Sequence, residues 1–81
     1  MIENKDELFK LISIALDVDR NKISDETSTD NTEEWDSLGH LSILTALDKS
    51  TEGKSGVIKE LSSVDSVKKL IEILQKHNLI Y

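Results

Sequence analysis

The chain has 81 residues, enough for one domain, and carries 16 acidic against 10 basic residues for a net charge of −6. It has no cysteine and no proline, so a disulfide framework and thiolate chemistry of its own are excluded. The negative charge repels nucleic acid and anionic membrane surfaces, favours a monomer, and attracts a protein with a basic docking surface. No apolar run reaches the roughly 20 residues needed to cross a bilayer, and the first residues lack a basic segment followed by an apolar one. Together with the missing cysteines this predicts a cytoplasmic protein.

In chain order, Leu8, Leu11, Ile12, Ala15 and Leu16 recur at helical spacing with Phe9 on the flank, which predicts a helix over about Lys5 to Asp17. Asn4, followed by Glu7 three residues later, reads as its cap. The period then disappears. From Asp17 to Asp36 the chain holds eight acids (Asp17, Asp19, Asp25, Glu26, Asp30, Glu33, Glu34, Asp36) and two bases (Arg20, Lys22), with Ile23 as the main apolar anchor. A connection this long inside a small domain is usually functional or partly disordered.

Asp36 is a good N-cap and opens a second helix that runs to about Lys49. On a helical wheel Leu41, Ile43, Leu44 and Leu47 take one broad arc, and Ser42, Thr45 and Lys49 take the opposite one. Leu38 falls within that polar arc, so it is expected to be exposed beside Ser37. Thr51 to Gly56 reads as a loop, and Val57 to Leu61 as a short helical or irregular turn. Ser63 is expected to cap a last helix carrying Val64, Val67, Leu70, Ile71 and Leu74, with His77 and Asn78 at its C-terminus. The sum is an all-α up-and-down bundle of three principal helices and one short one, a single domain over 1–81, with a long acidic loop between helices one and two.

The chemistry is concentrated in Glu34-Trp35-Asp36-Ser37-Leu38-Gly39-His40-Leu41. Ser37 lies in the first turn of a helix, directly after a loop, where its hydroxyl is reachable. Free N–H groups and the positive end of the helix dipole favour an anion there. Gly39, in the same turn, costs roughly 1 kcal/mol of helix propensity relative to alanine, which points to a close approach. His40 stands three residues on from Ser37, but there is no G-x-S-x-G elbow and no third member for a hydrolase. His40 therefore reads as a surface residue near Ser37. Trp35 reads as packing the loop's end onto the bundle. Asp17, Asp19 and Asn21 begin like a calcium loop, but Lys22 and Ser28 occupy the sixth and twelfth positions, where glycine and glutamate belong.

Asp36-Ser37-Leu38 resembles the attachment motif of acyl carrier and peptidyl carrier proteins. The longer Trp35-to-Leu41 stretch is similar to stand-alone carriers outside the main fatty-acid pathway, and the order of elements matches over nearly the whole chain. The resemblance implies a non-enzymatic carrier. Ser37 would receive 4′-phosphopantetheine from coenzyme A, and the thiol of that arm would hold acyl or aminoacyl groups as thioesters. It further implies partner contacts at Asp36 and Leu38, with His40, Ser42 and Thr45 on the adjoining face. An apolar space lined by Leu41, Leu44, Ile58 and Leu61 would shelter the cargo. The partners implied are a phosphopantetheinyl transferase, a loading ligase, and downstream transferases or synthases. Fatty-acid carriers usually have an acid-rich second helix. Here the acids crowd the preceding loop instead, which points to a specialised pathway. The alternatives are a calcium-responsive module and an unmodified helical adaptor.

Overall fold

Helix α1 (Lys5–Leu16) begins where the Asn4 side chain accepts a hydrogen bond from the Glu7 amide, at 2.8 Å. It ends at Asp17, which adopts the left-handed conformation (φ 56°). The computed structural model describes residues 1–81 and contains three α-helices linked by short 3-10 turns, with no strand beyond two isolated bridges. Helix α2 spans Ser37–Ser50 and α3 spans Val67–Lys76. α1 buries Leu8, Ile12 and Leu16 against a core to which α2 contributes Ile43 and Leu47, and α3 contributes Val67, Leu70, Ile71 and Leu74. The expected all-helical bundle is thus present, with adjusted boundaries.

The long acidic connection is tied down at several points. It opens with a 3-10 turn at Arg20–Lys22. The Arg20 guanidinium bonds Asp6 at 2.5 Å and the Ile23 carbonyl at 3.0 Å, and lies over the Phe9 ring. Ile23 is buried as expected, and Thr27 is buried with it. Beyond them, the Val67 amide donates to the Thr27 carbonyl and the Thr29 amide to the Asp65 carbonyl, forming an antiparallel bridge to the entry of α3. Ion pairs Lys5–Asp25 and Lys68–Glu26 fasten the same stretch to both neighbouring helices. The loop lacks a hydrophobic period because these hydrogen bonds and ion pairs, and not a buried stripe, determine its course.

The segment between α2 and α3 forms two 3-10 turns, Lys54–Val57 and Lys59–Ser63, where a loop over Thr51 to Gly56 and one short helical or irregular turn over Val57 to Leu61 were expected. Thr51 and Ser55 are buried at its start. The Thr51 hydroxyl donates to the Leu47 carbonyl and accepts from the Ser55 amide. Ser63 does not cap the last helix. Val64 is extended and buried, and the cap is Ser66, whose hydroxyl accepts from the Lys69 amide at 3.2 Å. Val64 matches the helical period of α3 but belongs to the linker; an apolar period cannot distinguish a first turn from an extended residue that plugs the same core. At the other end Asn78 takes the left-handed conformation, as suits a residue after a helix.

The chain ends also join the core. Ile2, Leu79 and Ile80 are buried, and Ile2 pairs with Ile80 in a short parallel bridge. Every buried side-chain nitrogen or oxygen has a hydrogen-bond partner.

Candidate functional site

Trp35 is the last residue before the α2 cap and is buried, so the end of the acidic loop is fixed to the core directly ahead of Ser37. Asp36 follows as the N-cap. Its carboxylate accepts from the Gly39 amide at 2.8 Å, and its carbonyl accepts from the His40 amide at 2.8 Å. The amides of Ser37 and Leu38, earlier in the turn, have no acceptor within the helix. Ser37 is the first residue of α2 and is exposed. Leu38 is 75% exposed beside it.

Gly39 is buried in this first turn because the chain packs directly against it. A β-carbon there would overlap the backbone carbonyl of Glu34 and come within 2.8 Å of a Leu16 methyl. The close approach suggested by the glycine is thus made by the protein's own loop and α1. This contact seats the Glu34–Asp36 corner and, with it, the start of α2.

His40 is more than a surface residue. Its Nδ1 accepts from the Trp35 indole N–H at 3.1 Å, and its Nε2 lies 2.9 Å from the Leu61 carbonyl. An indole nitrogen can only donate, so Nδ1 carries no proton and Nε2–H donates to Leu61. The rings of Trp35 and His40 lie within 16° of parallel with 6.2 Å between centroids, the edge-to-edge arrangement that this hydrogen bond requires. His40 therefore joins the loop end, α2 and the Lys59–Ser63 turn. Sequence spacing located it near Ser37 but could not show a partner 21 residues away. Both ring nitrogens are engaged, so His40 is not free to act as a base towards Ser37.

Two grooves flank this corner. One, of about 470 Å³, is bounded by Ser37 and His40 together with Trp35, Ser62 and Val64. The other, of about 560 Å³, lies between α2 and the 3-10 turns; Leu44, Ile58 and Leu61 form its apolar wall, and Asp48, Lys59 and Ser62 stand at its edge. Ser62 borders both. Leu41 lies outside this second groove and is 59% exposed. The core accepts a narrower arc of α2 than the sequence suggests: it is centred on Gly39, Ile43 and Leu47, and Leu41 sits roughly 160° from Ile43 at about 100° per residue. Ser42 and Thr45 are exposed on the outer face, as the wheel predicts.

Charge is uneven around the site. Glu33, Glu34 and Asp36 are all exposed, and none forms an ion pair. The Lys59–Ser63 turn is instead held to the end of α3 by Glu60, which pairs with Lys76 at 3.3 Å and His77 at 3.5 Å. The hydrogen bonds from Lys76 and then His77 hold the Glu60 carboxyl below its ordinary pKa. Asp17, Asp19 and Asn21 lie at the α1 C-cap and the first 3-10 turn, and no set of three or more acidic or histidine side chains is grouped to hold a metal ion.

The arrangement holds one exposed serine at a helix start, at the edge of a groove and next to an exposed leucine. No helix is long and apolar enough to cross a membrane. Comparison with protein families, with characterised proteins and with solved structures gave no match.

Proposed function

We propose that the protein is a carrier that holds acyl or aminoacyl thioesters on a 4′-phosphopantetheine arm attached to Ser37, in a specialised biosynthetic pathway. The observation that carries this reading is the exposed Ser37 hydroxyl at the first position of α2, on a corner fixed by Trp35, the Asp36 cap and the Gly39 contact. A phosphodiester at that hydroxyl fits the residues present. The unpaired amides of Ser37 and Leu38 and the positive end of α2 offset its charge. The adjacent groove leaves room for the root of the arm. The arm supplies the thiol that the cysteine-free chain lacks.

Apart from Ser37, whose hydroxyl bears the arm, the chain's own residues orient and protect. The carboxylate of Asp36 is partly committed to capping, and with Glu33 and Glu34 it offers negative charge to basic residues of a phosphopantetheinyl transferase or loading ligase. Such exposed charges steer encounter more than they set affinity. Leu38 gives those enzymes an apolar contact next to the modified residue. The apolar wall of Leu44, Ile58 and Leu61 is the place for a cargo chain to lie, with the polar edge of the groove left to solvent.

The test is modification of the purified chain by coenzyme A and a broad-specificity phosphopantetheinyl transferase, read by intact mass. A gain of one phosphopantetheine that disappears in Ser37→Ala is expected. An unchanged mass, with a transferase that loads a control carrier, refutes the proposal.

A further inference from the structure

Asp48 stands at the edge of the groove between α2 and the 3-10 turns, at the end away from Ser37. At about 100° per residue, Ser37, Leu44 and Asp48 fall within roughly 40° of one another around α2. At about 1.5 Å per residue, Asp48 lies about 16 Å beyond Ser37. The three mark one line along the helix, from the serine, past the apolar wall, to a carboxylate. An extended phosphopantetheine arm spans about that distance, so a cargo on its thiol reaches the Asp48 end of the groove.

The charge there is fixed in position on one side only. Asp48 and Lys59 both line the groove, both are exposed, and neither forms an ion pair. A β-carbon on Gly56, in the Lys54–Val57 turn, would sit 2.8 Å from Asp48 Oδ1. The short Asp48 side chain is thus laid over that turn, beside buried Ser55, where the bare glycine leaves it room. Lys59 carries its ammonium on a flexible four-carbon stem that solvent can draw outward. An unpaired carboxylate held at the end of an apolar wall fits a cation.

The wall itself is short. Leu44, Ile58 and Leu61 are its only apolar residues, and Ile43 and Leu47 of the same helix are fully buried in a closed core. A long alkyl chain laid on this wall runs out onto the Asp48 carboxylate and the Ser55–Gly56 turn. A short cargo that ends in an ammonium group covers the wall with its methylenes and brings its charge to Asp48.

We infer that the groove selects a short aminoacyl cargo, whose ammonium group pairs with Asp48, over an alkyl acyl chain. The inference rests on the carrier reading and narrows its cargo to one class. Asp48 acts here as a specificity residue, and Gly56 as the residue that lets it lie over the turn.

The test loads the full chain with a phosphopantetheinyl transferase and three coenzyme A derivatives in which an amide replaces the thioester, so that the cargo is not hydrolysed. The cargoes are β-alanyl, butyryl (the same shape without the charge) and decanoyl. Nitrogen-15 spectra of the β-alanyl form are expected to differ from those of the butyryl form at the amides of Asp48, Ser55 and Gly56. Asp48→Asn is expected to abolish those differences. Gly56→Ala, which pushes the carboxylate aside without changing the charge, is expected to shrink them. With true thioesters, Asp48→Asn is expected to speed hydrolysis of the β-alanyl cargo about threefold, the size of one exposed charge contact, and to leave the butyryl cargo unchanged. The decanoyl form is expected to melt no higher than the protein carrying the arm alone. Matching β-alanyl and butyryl spectra at those three amides overturn the inference. Differences that persist in Asp48→Asn, or a decanoyl form that melts highest, do the same. Loaded protein without the discrimination sinks this inference alone, whereas a mass that never rises sinks the carrier reading and this inference with it.

Discussion

Replacing Gly39 with alanine sets two effects of opposite sign against each other. Helix propensity alone favours alanine by about 1 kcal/mol at an interior position. The added methyl, however, would overlap the Glu34 carbonyl and press on Leu16. Leu16 is a flexible side chain and can move aside. The Glu34 carbonyl is backbone, one residue from buried Trp35 and two from the α2 cap, so relief means shifting the corner that presents Ser37. Overpacking costs about 1–3 kcal/mol, and a backbone obstruction belongs at the upper end. The net expectation is a loss of about 1–2 kcal/mol, which in a domain of this size lowers Tm by about 4–16 °C. Urea unfolding followed by emission of the single tryptophan, Trp35, measures it. A midpoint equal to or above that of the unaltered protein, at the same m value, would mean that propensity decides and that the Glu34 contact does not constrain the helix start.

Other substitutions probe the remaining contacts. His40→Phe leaves the Trp35 indole N–H and the Leu61 carbonyl without their partner; it is expected to cost about 1–3 kcal/mol in urea titration and to shift Trp35 emission. Nitrogen-15 spectra of the unaltered protein are expected to show His40 as the Nε2–H tautomer. Ser66→Ala removes the α3 cap and is expected to cost about 1 kcal/mol, whereas Ser63→Ala, with only a weak bond to the Glu60 carbonyl, is expected to stay within about 0.5 kcal/mol. The Glu60 carboxyl has a lowered pKa, so its stabilising contribution is complete at neutral pH and is lost as pH falls through its folded-state value. Thermal melts are therefore expected to separate the unaltered protein from Glu60→Gln at pH 7 and to bring the two together in strong acid.

The parts of the fold that depend on regular burial were legible in the sequence. Leu8, Ile12 and Leu16, and likewise Val67, Leu70, Ile71 and Leu74, repeat on one helical face and are buried as that repeat requires. Asn4 and Asp36 were recognisable as caps because the chemistry of capping is local. Leu38 was placed correctly outside because it falls among Ser42, Thr45 and Lys49 on the wheel. The misplacements share a cause. Leu41 belongs to a hydrophobic arc too wide for the core to cover, and only the packing partner decides which edge is left out. Ser63 and Ser66 both precede apolar residues, and a bridge from Ser28, far away in the chain, determines which of them starts α3. The His40 link to Leu61 and the burial of Ile2 and Ile80 are long-range facts with no periodic signal.

The pairing of Ile2 with Ile80 places the two ends of the chain side by side, with the Ile2 amide donating to the Leu79 carbonyl and the Tyr81 amide to the Ile2 carbonyl. Neighbouring strands in such a bridge lie about 4.8 Å apart. A short linker can therefore close the polypeptide into a ring, and new ends can be opened at the exposed Glu52–Gly53 turn, where the glycine has empty space around it. The same geometry lets the domain be grafted into a surface loop of a host protein as a cassette, with Ser37 still facing outward.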